Sequence, residues 1–406
     1  MDFESNVIDE SWKSKQKFVP SVVLTLQPTD DLFCYGKRFS EEDVEEVSIE
    51  EQVANQLAVT QEDPEKQLLV HGRVLFRRTE GDEELVLLKS GCSILELNIE
   101  DLEDFSYFDG MLGSFECTLK TSTCLKASSF IRPTPMPLAA IQGKHDSLRV
   151  IVIQGLMMGS ENEEKSEKRI EWLVKKVLSS DAHALILSGP FADPTDTKKF
   201  LAKSSHNFQL LCTKLKGQVV QVFVVPNPSY DPTSINVFPT PPMAFDNFRI
   251  DEKPPSNFHF VTDPSVFDIN GVRFAVTCSQ SVWMLSGAEK FQGVNSGERI
   301  ARLCGHILDQ QSLCPMTLNN RVSVLREDFR PHLTERPHFI VVPSHLVTFT
   351  KINQNVVFVN PKFCAKNVCR YAFIDVNLRA ARENKNSKNE LNISDFSRID
   401  LQNETI

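Results

Sequence analysis

Three segments, each at the end of an apolar run, stand where an α/β domain does its chemistry. They are Gln154-Gly-Leu-Met-Met-Gly159, Ser188-Gly-Pro-Phe-Ala-Asp193 and Val225-Pro-Asn-Pro-Ser229. Ligands and catalytic groups in such domains gather beyond the carboxyl ends of the strands. A pair of metal ions about 4 Å apart, the centre that activates water for hydrolysis, needs several carboxylate and imidazole ligands. These loops offer Asp193 and Asn227, which are too few to hold it. Proline, at positions 190 and 228, has no side chain able to bind a metal.

The remaining candidates are weaker. Gly36-Lys37 lacks the upstream glycine spacing of a phosphate-binding loop. Cys364 and Cys369 are five apart with no second ligand pair nearby, so structural thiols explain them better than zinc. His183, His206, His306 and His345 occur singly and read as structural histidines. Phe76, Arg77, Arg78 and Lys89, joined by Arg73, could form a stacking and basic surface for single-stranded DNA. The same strands could equally serve a protein partner. Asn392 and Asn403 begin glycosylation sequons that have no consequence inside a cell. No catalytic, cofactor-binding or metal-ligating residue is therefore expected, and no cofactor.

The elements that would position these residues fall into two patterns. Apolar runs at 68–78, 84–90, 92–99, 111–120 and 124–131 are separated by turn residues. Gly72 interrupts the first, where a strand must bend or approach another backbone. Five short strands in about 65 residues suit a small barrel such as the OB-fold, with a plain meander as the alternative. Arg132-Pro-Thr-Pro-Met-Pro137 is a stiff joint.

Beyond it the period becomes that of an α/β domain. The continuous apolar run 148–153 reads as a strand buried on both faces. Ser160 and Glu163 are placed as a capping box before the stripe Ile170, Leu173, Val174, Val177 and Leu178. Strands at 184–188 and 219–225 bracket a helix through Phe208, Leu211 and Leu215, ended by Gly217. Strand, helix, strand, helix, strand predicts a parallel sheet with crossover helices. Asn270-Gly271 predicts a two-residue hairpin. A helix near 298–310 and strands at 339–342, 356–359 and 371–376 complete the domain. The expected division is a tail and linker over 1–67, a barrel and joint over 68–137 and an α/β domain over 138–379. A polar, disordered tail is expected over 380–406.

The chain has 406 residues, a net charge of −10 and a pI near 5.5. An acidic chain lacks the electrostatic footprint of a phosphate-backbone binder. The first ten residues have neither the basic nor the apolar region of a secretory signal. No run approaches the roughly 20 apolar residues of a membrane span. Ten scattered cysteines read as free thiols in a reducing compartment, cytosol or nucleus. The acidic stretch holding Glu41, Glu42, Asp43, Glu45, Glu46, Glu50 and Glu51 reads as a solvated helix face.

The three strand-end loops resemble those of the calcineurin-like metallophosphoesterases. Active members read Asp-x-His, Gly-Asp-x-x-Asn/Asp and Gly-Asn-His-Asp/Glu there, followed later by a Gly-His-x-His pair. Against that pattern Gln154 and Leu156 stand at the Asp and His of the first motif. Pro190 replaces the bridging Asp, Pro228 replaces the His of the third motif, and Asn227 is kept. Pro343-Ser-His-Leu346 does not reproduce the final pair. The resemblance implies an αββα sandwich lacking its metal ligands.

A barrel followed by such a domain resembles the B-subunits of the eukaryotic replicative DNA polymerases, and the alpha branch most of all. Gly189-Pro-Phe-Ala-Asp193, the 225–229 loop and Phe238-Pro-Thr-Pro-Pro242 carry the likeness. Phe267-Asp-Ile-Asn-Gly-Val-Arg-Phe274, Gly287-Ala-Glu289, Ile340-Val-Val-Pro-Ser344 and Asp104-Phe-Ser-Tyr-Phe-Asp-Gly110 add to it. The resemblance implies a nuclear, non-catalytic subunit that binds the C-terminal zinc-containing domain of the polymerase alpha catalytic subunit. Primase shares that complex, which makes RNA–DNA primers, and DNA is reached mainly through partners. Family members usually carry a helical N-terminal domain and a long linker, for which residues 1–67 are too short. The delta and epsilon B-subunits, a single-stranded DNA reader and an active phosphoesterase are the alternatives.

Overall fold

The computed structural model describes residues 21–26, 67–78, 84–90, 93–158, 162–195, 200–231, 237–243, 253–293, 299–316, 323–324, 333–384 and 391–406. The first 17 residues, Gly36-Lys37, the acidic run 41–51 and Ser160 lie outside them. The chain divides into two compact units, one of Cys34–Pro135 with Met284–Thr317, the other of the rest.

The first unit is built on a closed five-stranded barrel. Leu68–Arg78 pairs antiparallel with both Glu84–Ser90 and Leu112–Thr121. Ser93–Asn98 pairs antiparallel with Glu84–Ser90 and parallel with Cys124–Ile131, which closes onto Leu112–Thr121. Alternation does the sorting, since Leu68, Val70 and Val74 point inward while Leu69 and His71 are exposed. Gly72 breaks the run because a Cβ there would stand 2.6 Å from the Lys89 carbonyl oxygen. Phe105, Phe108 and Phe115 fill the interior.

Sequence order places the helix near 298–310 in the α/β domain, and the structure corrects this. Strand Lys290–Gln292 pairs antiparallel with Phe105–Tyr107, and helix Arg299–Asp309 follows it within the barrel unit. A segment that returns across nearly 200 residues of chain leaves no local mark of its destination.

The second unit contains two six-stranded sheets. One runs Phe258–Phe260, Gln221–Val225, Ala184–Ser188, Ser147–Gln154, Val368–Asn377, Ser397–Thr405, with its first four strands parallel. The other runs Val22–Leu26, Ser265–Ile269, Val272–Val276, Phe339–Val341, Val356–Asn360, Phe349–Asn353. Val150 and Val152 face the second sheet's Phe267, Phe274 and Val357, in a core where Phe223 stacks on Phe267 at 4.2 Å. Ile151 and Ile153 face the other way, against Ile170, Leu173, Phe208 and Leu211 of helices Glu163–Ser179 and Phe200–Leu215. Both faces of the strand are apolar, as its unbroken run requires. Both long helices of the unit's described residues lie on that one side. The layering seen is therefore helix, sheet, sheet, rather than the four layers of an αββα sandwich.

Two further expectations change. Asn162, not Ser160, caps the first helix, its side chain accepting from the Lys165 amide at 2.9 Å. That places Glu163 at the first helical position, where a carboxylate meets the helix dipole instead of closing a capping box. The polar end of the chain is also ordered. Ser397–Thr405 pairs antiparallel along Val368–Val376, with Ile399 and Leu401 packed on the inter-sheet core and Ile393 buried. Average polarity hid an edge strand whose apolar residues lie on one face only. The Asn270-Gly271 hairpin is present, with φ of 52° and 80°, as a two-residue turn between right-twisted strands demands.

Candidate functional site

The three strand-end loops start side by side, because Gln154 is level with Ser188 and Ser188 with Val225. The amide of Gly155 donates to the Ser188 carbonyl at 2.9 Å, and that of Gly189 to Val225 at 3.1 Å. From there the loops fold into one another. Leu156, Met157, Pro190 and Phe191 close over Phe208 and Leu211 around a small apolar cavity. The buried Arg169 guanidinium donates to the carbonyls of Leu156 and Met158, and of Ala365 and Lys366.

Asp193 and Asn227 are used locally. Asp193 accepts from the Thr195 amide at 2.9 Å and from its hydroxyl at 2.6 Å. Asn227 accepts from the Ser229 amide at 3.0 Å and donates to the Gly189 carbonyl. The buried Gln154 amide has no hydrogen-bond partner among the described residues. Among those residues no three His, Cys, Asp or Glu side chains are grouped to hold a metal ion.

Asp231, which sequence reasoning missed, ties two of the loops together. It accepts from the Asn227 amide at 2.8 Å and the Phe191 amide at 3.1 Å. Burial pushes its carboxyl up to about 7, against the pull of those two hydrogen bonds. Gly189 makes the approach feasible, since a Cβ there would lie 1.9 Å from an Asp231 oxygen. The only signal in the sequence was the repeated tight spacing of Gly, Pro and Asn near an Asp.

The fourth loop, after Phe339–Val341, carries an aromatic surface instead of a histidine pair. His345 is exposed, stacks on Phe363 at 4.5 Å and lies 6.4 Å from Trp283. The Tyr230 hydroxyl sits 3.2 Å from its Nε2. Partial burial and the Lys362 charge lower its affinity for a proton. Trp283 and Val347 leave 45% and 65% of their surfaces exposed.

The other histidines are structural. Arg149 donates its amide to His183 at 2.9 Å, and burial holds that ring down to about 4. His206 meets Glu167 at 3.1 Å on the surface. In the barrel unit, Phe76, Arg77, Arg78, Lys89 and Arg73 do not share one face, although Lys89 pairs directly with Arg73. Arg73 and Arg77 lie on one face of their strand, Phe76 and Arg78 on the other. Lys290 covers the Phe76 ring at 4.7 Å, and Arg73 donates to the Gly110 carbonyl.

The same unit holds a polar cluster whose members, Glu289, Ser106 and His306, sequence reasoning named separately without joining them. Glu289 has a fully buried side chain that accepts from Arg302 at 2.6 and 3.1 Å and from Ser106 at 2.7 Å. His306 Nε2 lies 2.8 Å from the same Ser106 hydroxyl. Burial opposes the charge of Glu289, but hydrogen bonds from His306, Arg302 and Ser106 outweigh it and hold the carboxyl down to about 2. The cluster is no nucleophilic triad. There the acid orients the ring through the nitrogen remote from the hydroxyl, whereas here Glu289 and Ser106 both meet Nε2.

The part of the chain that holds these loops is similar to known proteins. The family model for the B-subunit of DNA polymerase alpha/epsilon matches residues 150–351. The DNA polymerase alpha B-subunit of Caenorhabditis elegans is 27% identical over 334 residues, covering 76% of this chain and 56% of that one. The Mus musculus protein of the same name is 25% identical over 299 residues, covering 70% and 48%. The chain thus spans about half the length of the curated relatives it matches. Among solved structures, TT1561 of Thermus thermophilus aligns at 11% identity with a TM-score of 0.30, over 64% of this chain and 98% of that one. That score is too low to assign a fold. On the family match and its relatives, the chain belongs to the B-subunit family of DNA polymerases alpha and epsilon.

Proposed function

We propose that this chain is a non-catalytic accessory subunit of the polymerase alpha–primase assembly, acting by binding the C-terminal region of the catalytic subunit. The barrel is then an OB-fold, and the two-sheet unit a phosphoesterase-like domain that has lost its chemistry. One observation carries the reading. Gln154, Leu156, Pro190 and Pro228 stand where that chemistry needs carboxylates and imidazoles, and the loops pack on themselves. Primase joins through the complex, DNA is met mainly through partners, and the nucleus is the place of action.

The aromatic surface of Trp283, His345 and Val347 supports a binding role, since exposed apolar side chains at a former catalytic rim suit a protein partner. The split faces of the Phe76 strand speak against a stacking groove for single-stranded DNA. The test is hydrolysis by the purified chain, with manganese, of a generic phosphodiester and of single-stranded DNA. Rates equal to the buffer blank are expected. Metal-dependent turnover that survives repurification would overturn the reading.

A further inference from the structure

Cys364 and Cys369 stand on the two sides of a tight turn. Ala365 and Val368 exchange both backbone hydrogen bonds, at 2.8 and 3.2 Å. Cys364 and Cys369 directly flank this isolated bridge, at the positions where a continued antiparallel ladder has its non-hydrogen-bonded pair. Side chains of such pairs approach most closely, with Cα atoms about 4.5 Å apart. That spacing lies within the range of about 4.4–6.8 Å that a disulfide spans without backbone movement. Both thiols lie in one buried apolar cluster. The turn between them, Lys366 and Asn367, is exposed.

The surroundings differ from those of the chain's other buried cysteines. The Arg370 amide donates to the Cys364 sulfur at 3.3 Å. Arg169 holds the carbonyls of Ala365 and Lys366, and Arg370 holds that of Phe363, so two guanidinium groups bracket the turn. Burial disfavours a Cys364 thiolate, but the hydrogen bonds from Cys369 and the Arg370 amide, with the charges of Arg169 and Arg370, more than compensate. Cys212, in the same unit, has only burial acting on it and is pushed up to about 12. Reactive cysteines occupy electropositive, partly exposed surroundings; both thiols here are buried, directly beneath the exposed turn of Lys366 and Asn367.

We propose that Cys364 and Cys369 form an oxidisable pair, which hydrogen peroxide converts into an intrachain disulfide. The Cys364 sulfur attacks one peroxide oxygen, the O–O bond breaks and hydroxide leaves, giving a sulfenic acid at Cys364. The Cys369 sulfur then attacks the Cys364 sulfur, the S–O bond breaks, and the departing hydroxide takes the thiol proton as water. Two thiols lose two electrons in all, and one peroxide becomes two waters. The product would lock the loop that carries Phe363, on which His345 stacks.

The test treats the folded full-length chain with hydrogen peroxide at neutral pH and maps its thiols by mass spectrometry. Cleavage after Lys366 separates the two cysteines, so a linked peptide pair is diagnostic. Linkage of Cys364 to Cys369 is expected at least tenfold faster than any modification of Cys212 or Cys278. The Cys369→Ser variant should stop at a sulfenic acid on Cys364, trapped by a dimedone-type reagent. If the variant fails to fold, the wild-type rate ratio alone decides. Linkage that appears only after denaturation, or at a rate matching Cys212, would overturn the proposal.

Discussion

At the scale of single residues, two buried carboxylates make opposite statements about pH. Glu289 is ionised and satisfied, with Arg302, Ser106 and His306 around it. Removing one partner of a buried ion pair leaves the other uncompensated, at a cost of about 3–5 kcal/mol. Glu289→Ala should therefore destabilise the barrel unit by about that amount, read as a lower denaturant midpoint. Its carboxyl is held down to about 2, below the unfolded value of about 4.3. The stability it contributes is present at neutral pH and drains away as pH falls from about 5 toward 2.

Asp263 behaves in the reverse sense. One oxygen accepts from the Cys278 amide at 2.8 Å, while the other has no partner among the described residues. Burial pushes this carboxyl up to about 7, so the folded state prefers it protonated. Its contribution is fully present below about pH 4 and is lost as pH rises toward 7. Asp263→Asn should raise the melting temperature at pH 8 and leave it nearly unchanged at pH 3.5. Equal shifts at both pH values would show that ionisation is not the cause.

At the scale of elements, the last strand is fastened by one residue. Glu404 accepts from Trp172 at 2.8 Å, from Lys176 at 2.6 Å and from the Tyr371 hydroxyl. It thereby joins strand Ser397–Thr405 to helix Glu163–Ser179. Glu404→Ala removes three hydrogen bonds, two of them to neutral donors, and should cost about 1–3 kcal/mol. Hydrogen exchange across residues 397–405 should speed up more than in Ala184–Ser188, a fully buried strand.

This strand also marks where the sequence was hard to read. The central strands were legible because Val150–Ile153 and Val222–Val225 are apolar on both faces, a pattern with little local competition. An edge strand with two inward apolar residues, Ile399 and Leu401, carries half that signal. In the returning segment Met284–Thr317 the helix was legible but its destination was not, because the partner strand Phe105–Tyr107 is remote in sequence. That Gln154, Leu156, Pro190 and Pro228 offer neither carboxylate nor imidazole was readable directly from residue type. Asp231 and Glu289 were not, since their roles depend on which backbone amides and cations the fold brings to them.

At the scale of the whole molecule, both charge and loop chemistry point toward assembly. A net charge of −10 does not favour a nucleic-acid backbone, and among the described residues no helix is long and apolar enough to cross a membrane. An obligate partner should bury on the order of 2,000 Å² or more. The most direct measurement is size-exclusion chromatography of the chain mixed with the C-terminal region of a polymerase alpha catalytic subunit. The account predicts co-elution at 1:1 at micromolar concentration. Separate elution at that concentration, with tight binding of DNA by the isolated chain, would contradict it.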